Sequence, residues 1–145
     1  MRISLRIVLV LLVGGMAFCC LYLVRDRDAR LHAEGYMWSK TAGRMSLICK
    51  LIILAEDDMD EPIPVTMSEL IDWLAKSGYA DTEYDSADID FQQKMIQDAW
   101  GNPLKVLSDE SGRFIGFGSA GPNGLWQNGQ GDDIIVTVDE VKNKR

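Results

Sequence analysis

The chain has little of what catalysis, cross-linking or nucleic-acid binding usually needs. Its 145 residues include one histidine, three cysteines and four prolines. A Ser–His–Asp or Cys–His arrangement would have to use His32, which sits in a charged stretch just after the N-terminal apolar run and reads as part of a solvated helix face. Cys19 and Cys20 lie inside that apolar run and Cys49 stands alone in another, so there is neither an internal disulfide framework nor a C-x-x-C metal pair. Cys49 reads as a small buried hydrophobe. Fifteen Lys and Arg stand against 22 Asp and Glu, giving a net charge of -7. With an isoelectric point near 4.6, the chain lacks the basic face that phosphate backbones require, and nucleic acid is excluded as a partner. Carboxylates are plentiful in "EDDMDE" and "DTEYDSADID", but no spacing singles out a pair for acid–base work. They read as solvated surface, and no enzyme is expected.

Hydrophobic residues make up 47% of the chain and four are tryptophan, which is enough for one compact domain with a core. The first 25 residues stand apart from it. From Ile7 to Val24 there are 18 residues without a charge, "IVLVLLVGGMAFCCLYLV", bounded by Arg6 and by "RDRDAR". That length is at the short end of a bilayer span and long for a signal-peptide core. It reads as an uncleaved anchor, with Ile7, Leu11, Leu12, Phe18, Leu21 and Leu23 facing lipid. A cleaved signal using the small pair Gly15 and Ala17 is the rival, and a lipidated Cys19 or Cys20 a weaker third. The expected organisation is an anchor over 1–25 and an extracytoplasmic domain over 26–145.

After the apolar run, Trp38, Ala42, Met45, Ile48, Ile52 and Ala55 recur at steps of three and four, which predicts a long helix continuing to about Asp57 with one buried face. "EDDMDEP" and the extended "PIP" stop it. A second helix starts at Thr66, where Thr66 and Glu69 have capping-box spacing and Val65 and Leu70 staple spacing. Its buried stripe is Leu70, Ile71, Trp73 and Leu74, and Gly78 is suited to close it. "DTEYDSADID" reads as a polar loop, and "FQQKMIQDAWGN" as a short helix or an irregular turn. "PLKVLS" and "RFIGFGS" read as a hairpin, and "IIVTVDE" as a last strand before a frayed tail. Helices and strands segregate rather than alternate, which means an α+β fold.

The run "GFGSAGPNGLWQNGQGDD" carries the main chemical question. Gly116, Gly118 and Gly121 fit G-x-G-x-x-G, but no helix of any length can follow, so the dinucleotide reading fails. Asn123, Asp132 and Asp133 offer side-chain oxygens, and the glycines let carbonyls turn inward, as a hard cation such as Ca²⁺ requires. The plain alternative is a solvated turn in which Asp133 caps nearby amides.

The stretch "DAWGNPLKVLSDESGRFIGFGSAGPNGLWQNGQGDDI" resembles the C-terminal part of the major pseudopilin of bacterial type II secretion systems. Asp98, Trp100, Gly101, Asn102 and Pro103 match that family's first block, and Ser119, Gly121, Asn123, Gly124, Asp132, Asp133 and Ile134 its second. The resemblance covers about residues 62–134. It implies a pilin-like fold, a long N-terminal helix packed on a small antiparallel sheet, with calcium in the Gly/Asp loop. By position, Asn123 and Asp133 would supply side chains, with Asp132 and backbone oxygens near Phe117 and Ser119 as further ligands. It also implies a single-pass protein of the bacterial inner membrane whose C-terminal domain is periplasmic or extracellular. Its expected partners are other pilin-like subunits, inner-membrane proteins of the secretion system and the lipid bilayer. The N-terminus departs from the family. Gly14–Gly15 lies inside the apolar run, and no acidic residue occurs from Ile7 to Val24 to pair with a neighbour's amino terminus. The other reading is a tethered extracytoplasmic binding module that does not polymerise, with an exposed Trp126 as its contact.

Overall fold

The computed structural model describes residues 5–79 and 89–143, with side chains from residue 29 onward. The lipid-facing residues expected at Ile7, Leu11, Leu12, Phe18, Leu21 and Leu23 therefore lie outside the described side chains. Among the described residues no helix is long and apolar enough to cross a membrane. The chain divides into two compact units, Met1–Tyr36 and Met37–Arg145.

The fold is α+β, in the pilin-like order expected: one long helix, a short one, then small antiparallel sheets. Helix α1 runs Leu5–Asp58 and α2 Met67–Ser77. Within the larger unit α1 is strongly one-sided. Met45, Cys49, Ile52 and Ala55 are wholly buried and Ile48 and Leu51 nearly so, while Lys50 and Leu54 face out. These side chains share a single apolar cluster with Leu70, Ile71 and Leu74 of α2 and with Phe117, Ile134 and Val136 further along the chain. His32 is exposed on α1.

Helix α2 begins and ends as its sequence dictates. The Thr66 hydroxyl caps the Glu69 amide and donates to the Glu69 carboxylate at 2.7 Å. Gly78 adopts φ 76°, the left-handed conformation that closes a helix at little cost in glycine. Beyond it, the stretch 91–102 is mostly turn, as one of its two readings expected, with a short strand at Met95–Ile96. Of the polar loop expected over 81–90, residues 81–88 lie outside the described residues, and Ile89–Asp90 is instead a strand (β1) that pairs with Met95–Ile96 (β2). Asp90 builds the connecting turn by accepting from the amides of Gln92 and Gln93 at 3.0 and 2.8 Å.

The main sheet has three antiparallel strands in the order β3 (Lys105–Ser108), β4 (Phe114–Ser119), β5 (Ile134–Thr137). Phe114 and Phe117 are three residues apart, and strict alternation would send them to opposite faces. A register shift between Leu107 and Ser108 resets the pairing, so both reach the core, where their rings meet edge to face at 5.3 Å. The last element corrects the sequence reading. "IIVTVDE" is strand only as far as Thr137, and Val138–Lys142 is a short helix, α3. Thr137 caps the Glu140 amide while Glu140 reaches back to the Thr137 amide, a reciprocal box that turns the chain out of the sheet.

Candidate functional site

The Gly/Asp loop joins β4 to β5 and begins with a single 3-10 turn, Gly121–Asn123. The three spaced glycines, Gly116 and Gly118 in β4 and Gly121 at the turn, each answer to packing. A Cβ on Gly116 would strike the Val136 carbonyl at 2.1 Å, and one on Gly121, where φ is 63°, the Asp132 carbonyl at 2.1 Å. A Cβ on Gly118 would come within 2.5 Å of the Trp126 ring. The glycines admit neighbours from the protein itself rather than a pyrophosphate.

The proposed cation ligands fall into three places. Asn123 and Asp132 meet: the Asn123 side-chain amide donates to Asp132 Oδ1, and the Asn123 backbone amide donates to Oδ2 at 3.1 Å. Asn123 Oδ1 in turn accepts from the Leu125 amide at 2.6 Å. Asp133 caps the next turn, its Oδ2 accepting from the amides of Gln127 and Gly129 at 2.7 and 2.8 Å. Its other oxygen, Oδ1, is buried and has no hydrogen-bond partner. A buried acceptor left without a donor costs about 1–3 kcal/mol, so Oδ1 has the character of a ligand atom awaiting a donor or a cation. Phe117 and Ser119 lie elsewhere. Phe117 is in the middle strand, paired with both Val106 and Val136. Ser119 turns its hydroxyl toward Asp98. Among the described residues no three His, Cys, Asp or Glu side chains converge to hold a metal ion. A calcium shell here would therefore draw on carbonyls and water beside Asp133.

Trp126 is not a free contact residue. Its ring rests against Gly118 and the ammonium of Lys105 lies 5.0 Å from its centroid. In the sheet Gly118 is paired with Lys105 on one side and Ile135 on the other, so one row of the outer face receives the ring. This weakens the exposed-ring argument for a binding module. Leu125 beside it is 66% exposed.

The polar centre of the domain is Asp98, 3% exposed. Its Oδ1 accepts from the amides of Trp100 and Asn102 at 2.9 and 2.8 Å. Its Oδ2 accepts from Ser119 Oγ at 2.7 Å and from Asn102 Nδ2 at 3.2 Å. Asn102 Nδ2 also donates to the Gly121 carbonyl at 2.8 Å, and the Gly121 amide donates to Ser119 Oγ at 3.1 Å. On the other side, Thr41 Oγ1 of α1 accepts from the Ala99 amide at 2.9 Å, and Arg44 donates to the carbonyls of Gln97 and Asp98. Trp38 and Trp100 close this end edge to face, 5.8 Å apart. Sequence reasoning matched Asp98 and Asn102 to a motif but gave neither a role. The signal was available: an Asp, an Asn and a Ser in apolar surroundings must find partners if buried.

An open groove of about 860 Å³ is lined by residues that include Glu56, Asp60, Glu61, Asp109, Arg113 and Asp139. Three of its carboxylates carry cations: Glu56 with Lys142, Glu61 with Lys76 and Asp109 with Arg113. All five are at least partly exposed. Acid–base pairs need one carboxyl held protonated by burial, and this is salt-bridged surface instead. No family model, curated protein or solved structure matches the chain.

Proposed function

We propose that the chain is a membrane-anchored, pilin-like structural subunit of a secretion or pilus-like assembly in the bacterial inner membrane, with its C-terminal domain outside the cytoplasm. The observation that carries this reading is the use of α1. From Thr41 to Ala55 it buries one face in the same core as the sheet, while an uncharged run of 18 residues lies upstream on the same helix. A helix built that way would serve to hold a small domain. Its partners would be lipid, further pilin-like chains and inner-membrane secretion proteins. The Gly/Asp loop adds a calcium site in this reading. Asp133 would hold the ion through Oδ1, with Asn123 and Asp132 at its edge, and the ion would neutralise adjacent carboxylates without any part in chemistry.

Expression of the full chain in a Gram-negative host, followed by membrane fractionation and amine cross-linking before extraction, tests the reading. The expected result is a carbonate-resistant membrane protein giving a ladder of multiples of 16.2 kDa. A soluble product overturns the anchor. A membrane protein that stays monomeric favours the tethered, non-polymerising domain.

A further inference from the structure

The Gly/Asp loop is joined to α1 by hydrogen bonds at either side of the segment 97–102, centred on Asp98. Gly121, the first residue of the loop's turn, is held at both backbone atoms: its amide by Ser119 Oγ and its carbonyl by Asn102 Nδ2. Both of those side chains donate to the Asp98 carboxylate. The segment carrying Asp98 is fixed in turn from α1, by Thr41 at the Ala99 amide and by Arg44 at the Gln97 and Asp98 carbonyls. Thr41 is 0% exposed, 58 residues from Ala99 in sequence, and makes no hydrogen bond to the described residues of the loop itself.

From this geometry we infer that Asp98 is a latch through which helix α1 holds the start of the Gly/Asp loop in place. Four donors converge on one carboxylate from a turn and a strand. Such a network is satisfied only when all its members are in place. Loosening it at α1 therefore frees Gly121, and with Gly121 the close approach to Asp132 that its missing side chain permits. The shape of the loop's first turn follows the seating of the helix.

The test is hydrogen–deuterium exchange of the full chain in detergent micelles with EDTA present, so that failure of the calcium reading leaves it unaffected. In the wild type the amides of Gly121, Asn123, Gln127 and Gly129 exchange slowly. Thr41→Val keeps the side-chain shape and removes the acceptor, and the same amides then exchange about five- to tenfold faster, while those of α2 do not change. Thr41→Ser restores the wild-type rates. Ser119→Ala, which cuts the series at its far end, gives the same acceleration, and the double variant adds little to either single change. Fast loop exchange in the wild type overturns the latch. So does an unchanged loop in Thr41→Val, a uniform acceleration across all elements, or failure of Thr41→Ser to restore protection.

Discussion

The ring of Trp126 occupies the space a side chain on Gly118 would need, with two ring carbons 2.5 Å from the ideal Cβ position. Seven residues, 119–125, lie between the two. Gly118→Ala must push the indole off the sheet or deform β4, at a cost of about 1–3 kcal/mol. Trp126 fluorescence in a Trp38, Trp73 and Trp100 background changed to Phe should shift to the red, and the denaturation midpoint should fall. An unshifted emission would show that the sheet accommodates the methyl.

Ile52 is wholly buried at the centre of the face that α1 gives to the core. Ile52→Ala should destabilise the domain by about 2–5 kcal/mol, measured by urea unfolding of the full chain in micelles. Leu54, 38% exposed on the opposite face, should tolerate alanine with much less change.

Asp109 organises the β3–β4 turn. Hydrogen bonds from the Ser111 hydroxyl and then from the Arg113 amide hold its carboxyl well below the ordinary carboxylate range. A carboxyl depressed on folding adds stability that is complete above its unfolded value, about 4, and is lost as pH falls through the lower folded value. Asp109→Asn should therefore melt earlier than the wild type at pH 7. The gap should narrow steadily below pH 4. A gap independent of pH would mean that Asn loses shape rather than charge.

Burial, with a smaller contribution from the charge of Glu140, pushes the Cys49 thiol up to about 12. The thiolate is the reactive form, so Cys49 should be almost inert in the folded chain. In a Cys19→Ser, Cys20→Ser background, labelling by a disulfide reagent at pH 8 should proceed at the unfolding rate. It should become fast in denaturant. Rapid labelling of the native chain would place Cys49 outside the core.

Asp133 Oδ1 is the one buried side-chain acceptor of the Gly/Asp loop without a hydrogen-bond partner among the described residues. Millimolar calcium should raise the melting temperature of the full chain by several degrees, and Asp133→Ala should abolish that gain. Asn123→Ala should reduce it only in part. Melting curves that coincide with calcium and with EDTA would remove the metal from the proposed function.

Much of the fold was legible because its signals are local. The Thr66–Glu69 spacing, the three-and-four rhythm from Trp38 to Ala55 and the turn residues between β3 and β4 act within a few positions of themselves. The same capping signal stood at Thr137–Glu140 and was lost in a β-branched run, where strand propensity outweighed it. The candidate site was less legible for a different reason. The partners of Asp98 include Ser119, 21 residues on, and backbone amides whose direction depends on a turn not yet built. Thr41 meets Ala99 only after α1 has docked. Trp126 looked like a surface residue because nothing in its own loop reveals that Gly118 leaves a seat for it on the sheet.

Thr137 ends β5 and starts α3 in the same residue. The outer edge of the three-stranded sheet therefore offers an incoming chain only four residues before the backbone coils away. An annexed strand would gain a ladder too short to offset the ordering it demands. If the proposed anchoring brings copies of this molecule together, the short β5 edge would disfavour fusion of sheet to sheet along it, the route that leads to amyloid-like clumping.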